Sequence, residues 1–137
     1  MGTRLRTELS KSNRYYISKE RRLELEHFCR QYKEWKKELG DIGINGYCIR
    51  ERVQGGKVRG SQVEDMAIKR NSLESKIKMV EDCAEAADTI LAPYILKSVT
   101  ENRSYTNMLQ VYNIPAGKDM FYDRLHKFYW LLDRVRD

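Results

Sequence analysis

The chain has 137 residues, of which 41% are apolar and 34% charged, with a formal net charge of +6 and a mean hydropathy of −0.72. That length suits one domain, or a small module joined to an oligomerisation element. There is no apolar run near the length of a membrane span and no signal-peptide core, so the expectation is a cytoplasmic protein that does not contact a membrane.

Charge is unevenly distributed. Residues 1–22 carry seven basic side chains (Arg4, Arg6, Lys11, Arg14, Lys19, Arg21, Arg22) against Glu8 and Glu20, a local +5. Residues 61–91 sum to −3. A basic arm beside an acidic helix suits a protein that meets a polyanion at one end, although a solvated charge run has the same composition. Cys29, Cys48 and Cys83 form no CxxC pair, and His27 with Cys29 lacks partners at usable spacing. No metal, no cofactor and no disulfide framework is expected.

Residues 1–17 read as a basic N-terminal arm. Ser18 can cap a helix whose apolar positions Leu25, Phe28, Tyr32, Trp35, Leu39 and Ile42 alternate threes and fours. Six of the eight glycines fall between Gly40 and Gly60, so the helix is expected to stop near Gly40–Gly43. The insert at 40–60 reads as a mobile loop, with a short β-hairpin at Tyr47–Val53 as the lesser option. Gly55-Gly56-Lys57 lacks the context of a phosphate-binding loop.

Ser61-Gln62-Val63-Glu64 is a capping box that opens a second helix. Its ladder runs Val63, Met66, Arg70, Leu73, Ile77, Val80, Ala84, Ala87, Leu91. Two ladder-bearing helices joined by one insert predict a long antiparallel hairpin over residues 18–91. The same spacing suits a coiled-coil oligomer, with Met66, Arg70, Leu73, Ile77 and Val80 as candidate oligomerisation residues.

Pro93 kinks this helix or starts a new one, a short helix to Glu101 burying Ile95, Leu96 and Val99, and Asn102-Arg103-Ser104 breaks the pattern. Ser104 can cap the next helix, with Met108, Leu109 and Tyr112 inward. Asn113 tolerates the left-handed conformation of a sharp turn, Ile114 plugs it, and Pro115 cannot continue the helix. The last helix starts near Lys118, with Asp119 as its expected cap and Phe121, Leu125, Phe128 and Leu132 inward, flanked by Tyr129 and Val135. Residues 92–137 therefore predict a helix-turn-helix, with an extended turn between Ile114 and Phe121. The fold class expected is all-α.

A helix-turn-helix exposes the early polar residues of its second helix to the major groove. Lys118, Tyr122, Asp123, His126 and Lys127 lie off the apolar stripe and are the candidate contacts. Arg103 just before the first helix and Tyr105 at its start, and Arg4, Arg6 and Arg14 in the arm, complete the set. Trp35 and Trp130 read as core anchors rather than base-stacking platforms. No nucleophile–base pair, apolar carboxylate pair or small-molecule site is evident, so no enzyme is expected.

The segment Tyr112-Asn113-Ile114-Pro115-Ala116-Gly117-Lys118-Asp119-Met120-Phe121-Tyr122-Asp123-Arg124, with Lys127-Phe128-Tyr129-Trp130-Leu131-Leu132-Asp133, resembles the C-terminal end of small phage and prophage proteins of Gram-positive bacteria. These are similar to late-gene transcriptional regulators of the RinA/ArpU type, whose C-terminal half resembles sigma-factor region four. Tyr16-Ile17-Ser18 through Lys36-Lys37 resembles their N-terminal helix. The resemblance implies sequence-specific binding of double-stranded DNA by a homo-oligomer in the host cytoplasm, with host RNA polymerase as a candidate partner. A small terminase-type packaging protein and a helical protein-binding adaptor are the competing expectations.

Overall fold

A computed structural model describes residues 11–53 and 60–136. Among these residues the chain is all-helical, without strands: α1 Lys19–Arg30, α2 Tyr32–Val53, α3 Gly60–Ala87, α4 Ala92–Glu101, α5 Tyr105–Tyr112 and α6 Lys118–Val135. None of the described helices is long and apolar enough to cross a membrane.

Ser18 caps α1 as its residue type predicts, its hydroxyl accepting from the Arg21 N–H at 3.3 Å. The helix ends sooner than its ladder suggests. At Gln31 the backbone N–H turns back to the Phe28 carbonyl, and α2 starts one residue later. α2 then continues through Gly40 and Gly43 to Val53, where a loop or hairpin was expected. Glycine weakens a helix by about 1 kcal/mol but does not forbid one, and no proline interrupts this stretch. Residues 54–59 of the insert lie outside the described residues, as do Arg4 and Arg6. Ser61 falls inside α3 rather than at its cap.

The chain divides into two units, with the boundaries after Gln31 and Lys78. One unit, residues 32–78, is an antiparallel hairpin of α2 and the first part of α3. Lys76 lies over the Trp35 ring at 5.8 Å and Lys69 pairs with Glu38 at 3.5 Å, so numbers fall on α3 as they rise on α2. Tyr32, Trp35, Ile42, Leu73 and Ile77 are buried. The α3 ladder is apolar inside only from Leu73 onward: Val63 is 50% exposed, Arg70 is exposed and Met66 is half-buried.

The other unit joins residues 11–31 to residues 79–136. Here α1 packs on α4 and α6, and α4 packs on α5 and α6. Leu25, Cys29, Ile95, Met108, Phe121, Phe128 and Leu132 are fully buried. Each contributes about 1.5–3 kcal/mol if its side chain leaves water completely. Past Ala87, the Asp88 carboxylate accepts from the N–H groups of Ile90 (2.9 Å) and Leu91 (3.0 Å), shaping the corner before α4. Pro93 sits in the first turn of α4, where it removes no helical hydrogen bond, so it starts a helix rather than kinking one.

Candidate nucleic-acid interface

α4 ends at Asn102, in the left-handed conformation (φ 56°, ψ 45°). Two residues on, the Ser104 hydroxyl caps α5 by accepting from the Asn107 N–H at 3.2 Å. α5 ends on a second left-handed asparagine, Asn113 (φ 50°, ψ 54°), followed by Ile114, which is buried. The turn to α6 is extended, as its length suggests, and the Tyr105 hydroxyl braces it by donating to the Ala116 carbonyl at 2.7 Å. Gly117, not Asp119, is the N-cap of α6, and no side chain caps that end. Asp119 instead lies in the first turn, where its charge suits the helix dipole. Leu109, expected inward, is 43% exposed, and Val135 is exposed.

The inward stripe of α6 is the predicted one. Phe121, Leu125, Phe128, Tyr129 and Leu132 are all buried. His126 is buried too, contrary to its expected place on the surface. Its position next to Leu125 puts it on the flank that α1 covers, and its Nδ1 accepts a 3.1 Å hydrogen bond from the Arg22 guanidinium. An arginine only donates, so the neutral ring carries its proton on Nε2. Burial first and the Arg22 charge second lower the His126 pKa to about 4. His126 is therefore removed from the candidate contacts.

Arg22, counted in the basic arm from its sequence, is likewise interior at 2% exposure. Its guanidinium carbon lies 4.0 Å from the centre of the Tyr129 ring. Glu26 comes within 3.3 Å of Nε without hydrogen-bond alignment, and Nε and Nη2 have no hydrogen-bond partner. Desolvation depresses its pKa from the usual arginine value.

The remaining candidates fall into three groups. Arg103 and Tyr105 brace the α4–α5 corner: Arg103 pairs with Glu101 at 2.8 Å and donates to Asn107 at 2.7 Å, while the Tyr105 ring stacks at a tilt on Phe121 and Tyr122. Lys118 is exposed and Tyr122 half-buried, on the side of α6 that meets Tyr105. Asp123 and Lys127 belong to a different face, with Lys127 about 180° around the helix from Lys118 at roughly 100° per residue.

That second face forms a ladder of its own, Met120, Asp123, Lys127, Trp130 and Arg134, spaced three, four, three, four and opposite the buried stripe. Met120 is 48% exposed and Trp130 is half-buried rather than a core anchor. Sequence reasoning passed over Met120 and Arg134 and read Trp130 as a core anchor, although the same spacing rule applied to the outer side of α6 picks all three out. Arg124 fixes the direction of this face by pairing with Asp88 at 3.1 Å, which ties α6 to the α3–α4 corner. Arg14, on the turn before α1, is exposed.

Among the described residues no group of His, Cys, Asp and Glu could hold a metal ion. Burial pushes the Cys83 thiol up to about 11 and the Cys29 thiol higher still. Comparison with protein-family models, with curated proteins and with solved structures finds no match for the chain.

Proposed function

We propose that the protein binds double-stranded DNA through α5, the Asn113–Gly117 turn and α6, and that it acts as a transcriptional regulator of the phage late-gene kind rather than as an enzyme. The observation that carries this reading is the turn itself. A left-handed asparagine and a buried isoleucine join two helices that touch through the Tyr105 ring against Phe121 and Tyr122, and the second helix carries an outer ladder opposite its buried stripe. Lys127 and Arg134 on that ladder, and Arg14 beside Lys127, supply cations for phosphates. Met120 offers an apolar contact of the kind a thymine methyl accepts.

Three such cations predict a log–log salt dependence of duplex affinity with a slope of about −3 per protomer. Fluorescence anisotropy of a labelled duplex across ionic strength measures it, and a flat response removes the proposal. Homo-oligomerisation and contact with host RNA polymerase belong to the same reading. Leu73, Ile77 and Val80 are already covered within one chain, so an oligomer would draw on the exposed part of α3 around Met66, Ile68 and Arg70. A protein-docking adaptor is the second reading, favoured by exposed Leu109 and Val111 on α5. It gains if no duplex affinity exists at low salt.

A further inference from the structure

Between the turn at residues 11–15 and the second half of α6 lies an open cleft of about 260 Å³, lined by Arg14, Tyr15, Lys127 and Trp130. The turn is built rather than loose. The Asn13 side chain accepts from the Tyr15 N–H at 2.8 Å, and its carbonyl accepts from the Tyr16 N–H at 3.0 Å. This sets Tyr15 against Trp130, with ring centres 5.7 Å apart and planes tilted by 60°. Arg14 lies over the Tyr15 ring at 4.7 Å and donates to its hydroxyl at 2.6 Å. The walls are therefore aromatic and the rim is cationic.

Core packing explains Tyr15, which is buried, but not the rest. Trp130 is half-buried with Arg134, an exposed side chain, at 4.6 Å over its ring. Lys127 stands at the cleft with no carboxylate paired to it among the described residues, since Asp123 is engaged by Arg124. Two cations beside an indole edge and a phenol match a planar ring that carries a negative group. A carboxylate-bearing peptide meets only the charge, whereas a nucleotide meets both features at a size the cleft accommodates.

We infer that this cleft is a nucleotide site, in which a phosphate sits between Arg14 and Lys127 and an unpaired base lies against Trp130, which Tyr15 holds in place from behind. The inference does not depend on duplex reading by the helix-turn-helix. A free nucleotide and a unit within a single strand share this chemistry, and the test separates them.

The chain has only two tryptophans, and Trp35 is buried in the hairpin unit, so the full-length Trp35→Phe protein reports on Trp130 alone. At low salt, an eight-nucleotide oligothymidylate should quench this emission saturably. Arg14→Gln and Lys127→Gln, both changes at solvent-accessible positions, should each weaken the apparent affinity roughly tenfold. Thymidine monophosphate quenching with similar affinity would assign the site to free nucleotides, and quenching by the oligonucleotide alone assigns it to single strands. Absence of quenching by either probe overturns the inference. So does equal quenching by a glutamate-rich peptide, or affinity indifferent to both substitutions. Duplex affinity without quenching would leave the helix-turn-helix reading standing and remove this one, and quenching without duplex affinity would do the reverse.

Discussion

The Arg22 guanidinium donates to Nδ1 of His126 at 3.1 Å in the interior of the larger unit, joining α1 to α6 across 104 positions of sequence. The bond requires an unprotonated Nδ1, and a proton there would set two cations side by side away from water. His126 is held neutral by its setting, and Arg22 carries the charge.

Protonation of His126 should therefore destabilise the fold. Its folded-state pKa of about 4 lies below the unbound histidine value of 6.5, so the unfolded chain takes up the proton first. Stability is complete above pH 6.5 and falls as pH drops toward 4, by on the order of 3 kcal/mol. Asp88 and Glu24, whose carboxyls are held below their ordinary values, add their losses only at the acid end of this range and below. Urea midpoints measured from pH 7 to pH 4.5 test this. His126→Gln, which retains an acceptor for Arg22, should flatten the slope, and an unchanged slope would show that His126 is not its source.

Arg22 is a buried charge with incomplete hydrogen bonding, so its removal should depend on shape. Arg22→Met keeps the volume and the contact with the Tyr129 ring, and should leave stability unchanged or raise it by about 1 kcal/mol. Arg22→Ala opens a cavity beside Tyr129 and His126 and should cost about 2–5 kcal/mol. Thermal unfolding of both variants decides the matter. A large loss in Arg22→Met would mean that the charge itself holds α1 in place.

The turn between α5 and α6 makes a third expectation. Asn113 adopts a left-handed conformation that glycine accepts freely and β-branched residues resist. Asn113→Gly should be near neutral, while Asn113→Ala should cost about 1 kcal/mol and Asn113→Val more. Ile114→Ala should cost about 2–4 kcal/mol by emptying the plug. Denaturant titrations give all four values, and equal losses at Asn113 for Gly and Val would exclude backbone strain as the reason for asparagine there.

Local chemistry was legible in the residues. Ser18 and Ser104 announce caps, Pro93 a kink or a helix start, Asn113 a left-handed stop, and the 121–125–128–132 spacing an inward stripe. Each depends on a few neighbours along the chain. Positions whose fate depends on a distant partner were not legible in this way. His126 is one residue off the stripe, and only the arrival of α1 decides that it is covered. Arg22 looks like one cation in a charged run until Tyr129 and His126 close over it. The glycines of α2 suggest a loop, yet their individual costs are small enough for the helix to continue. On α6 the choice of Lys118 and Tyr122 followed chain proximity to the turn, whereas the outer ladder through Lys127 is set by helical phase.

The partnership of Arg22 with His126 also bears on how the chain is made. At about 5–20 residues per second, ribosomal synthesis of the intervening stretch takes roughly 5–20 s. For much of that interval α1 has emerged with Leu25, Phe28 and Cys29 on one side before the α4 and α6 residues that pack on it have been made. The charges that crowd this helix, Lys19, Arg21, Arg22, Glu24 and Glu26, keep the waiting segment in solution. The same guanidinium that finishes in the interior thus begins as a solubilising group, and the larger unit can complete its core only once α6 has been made.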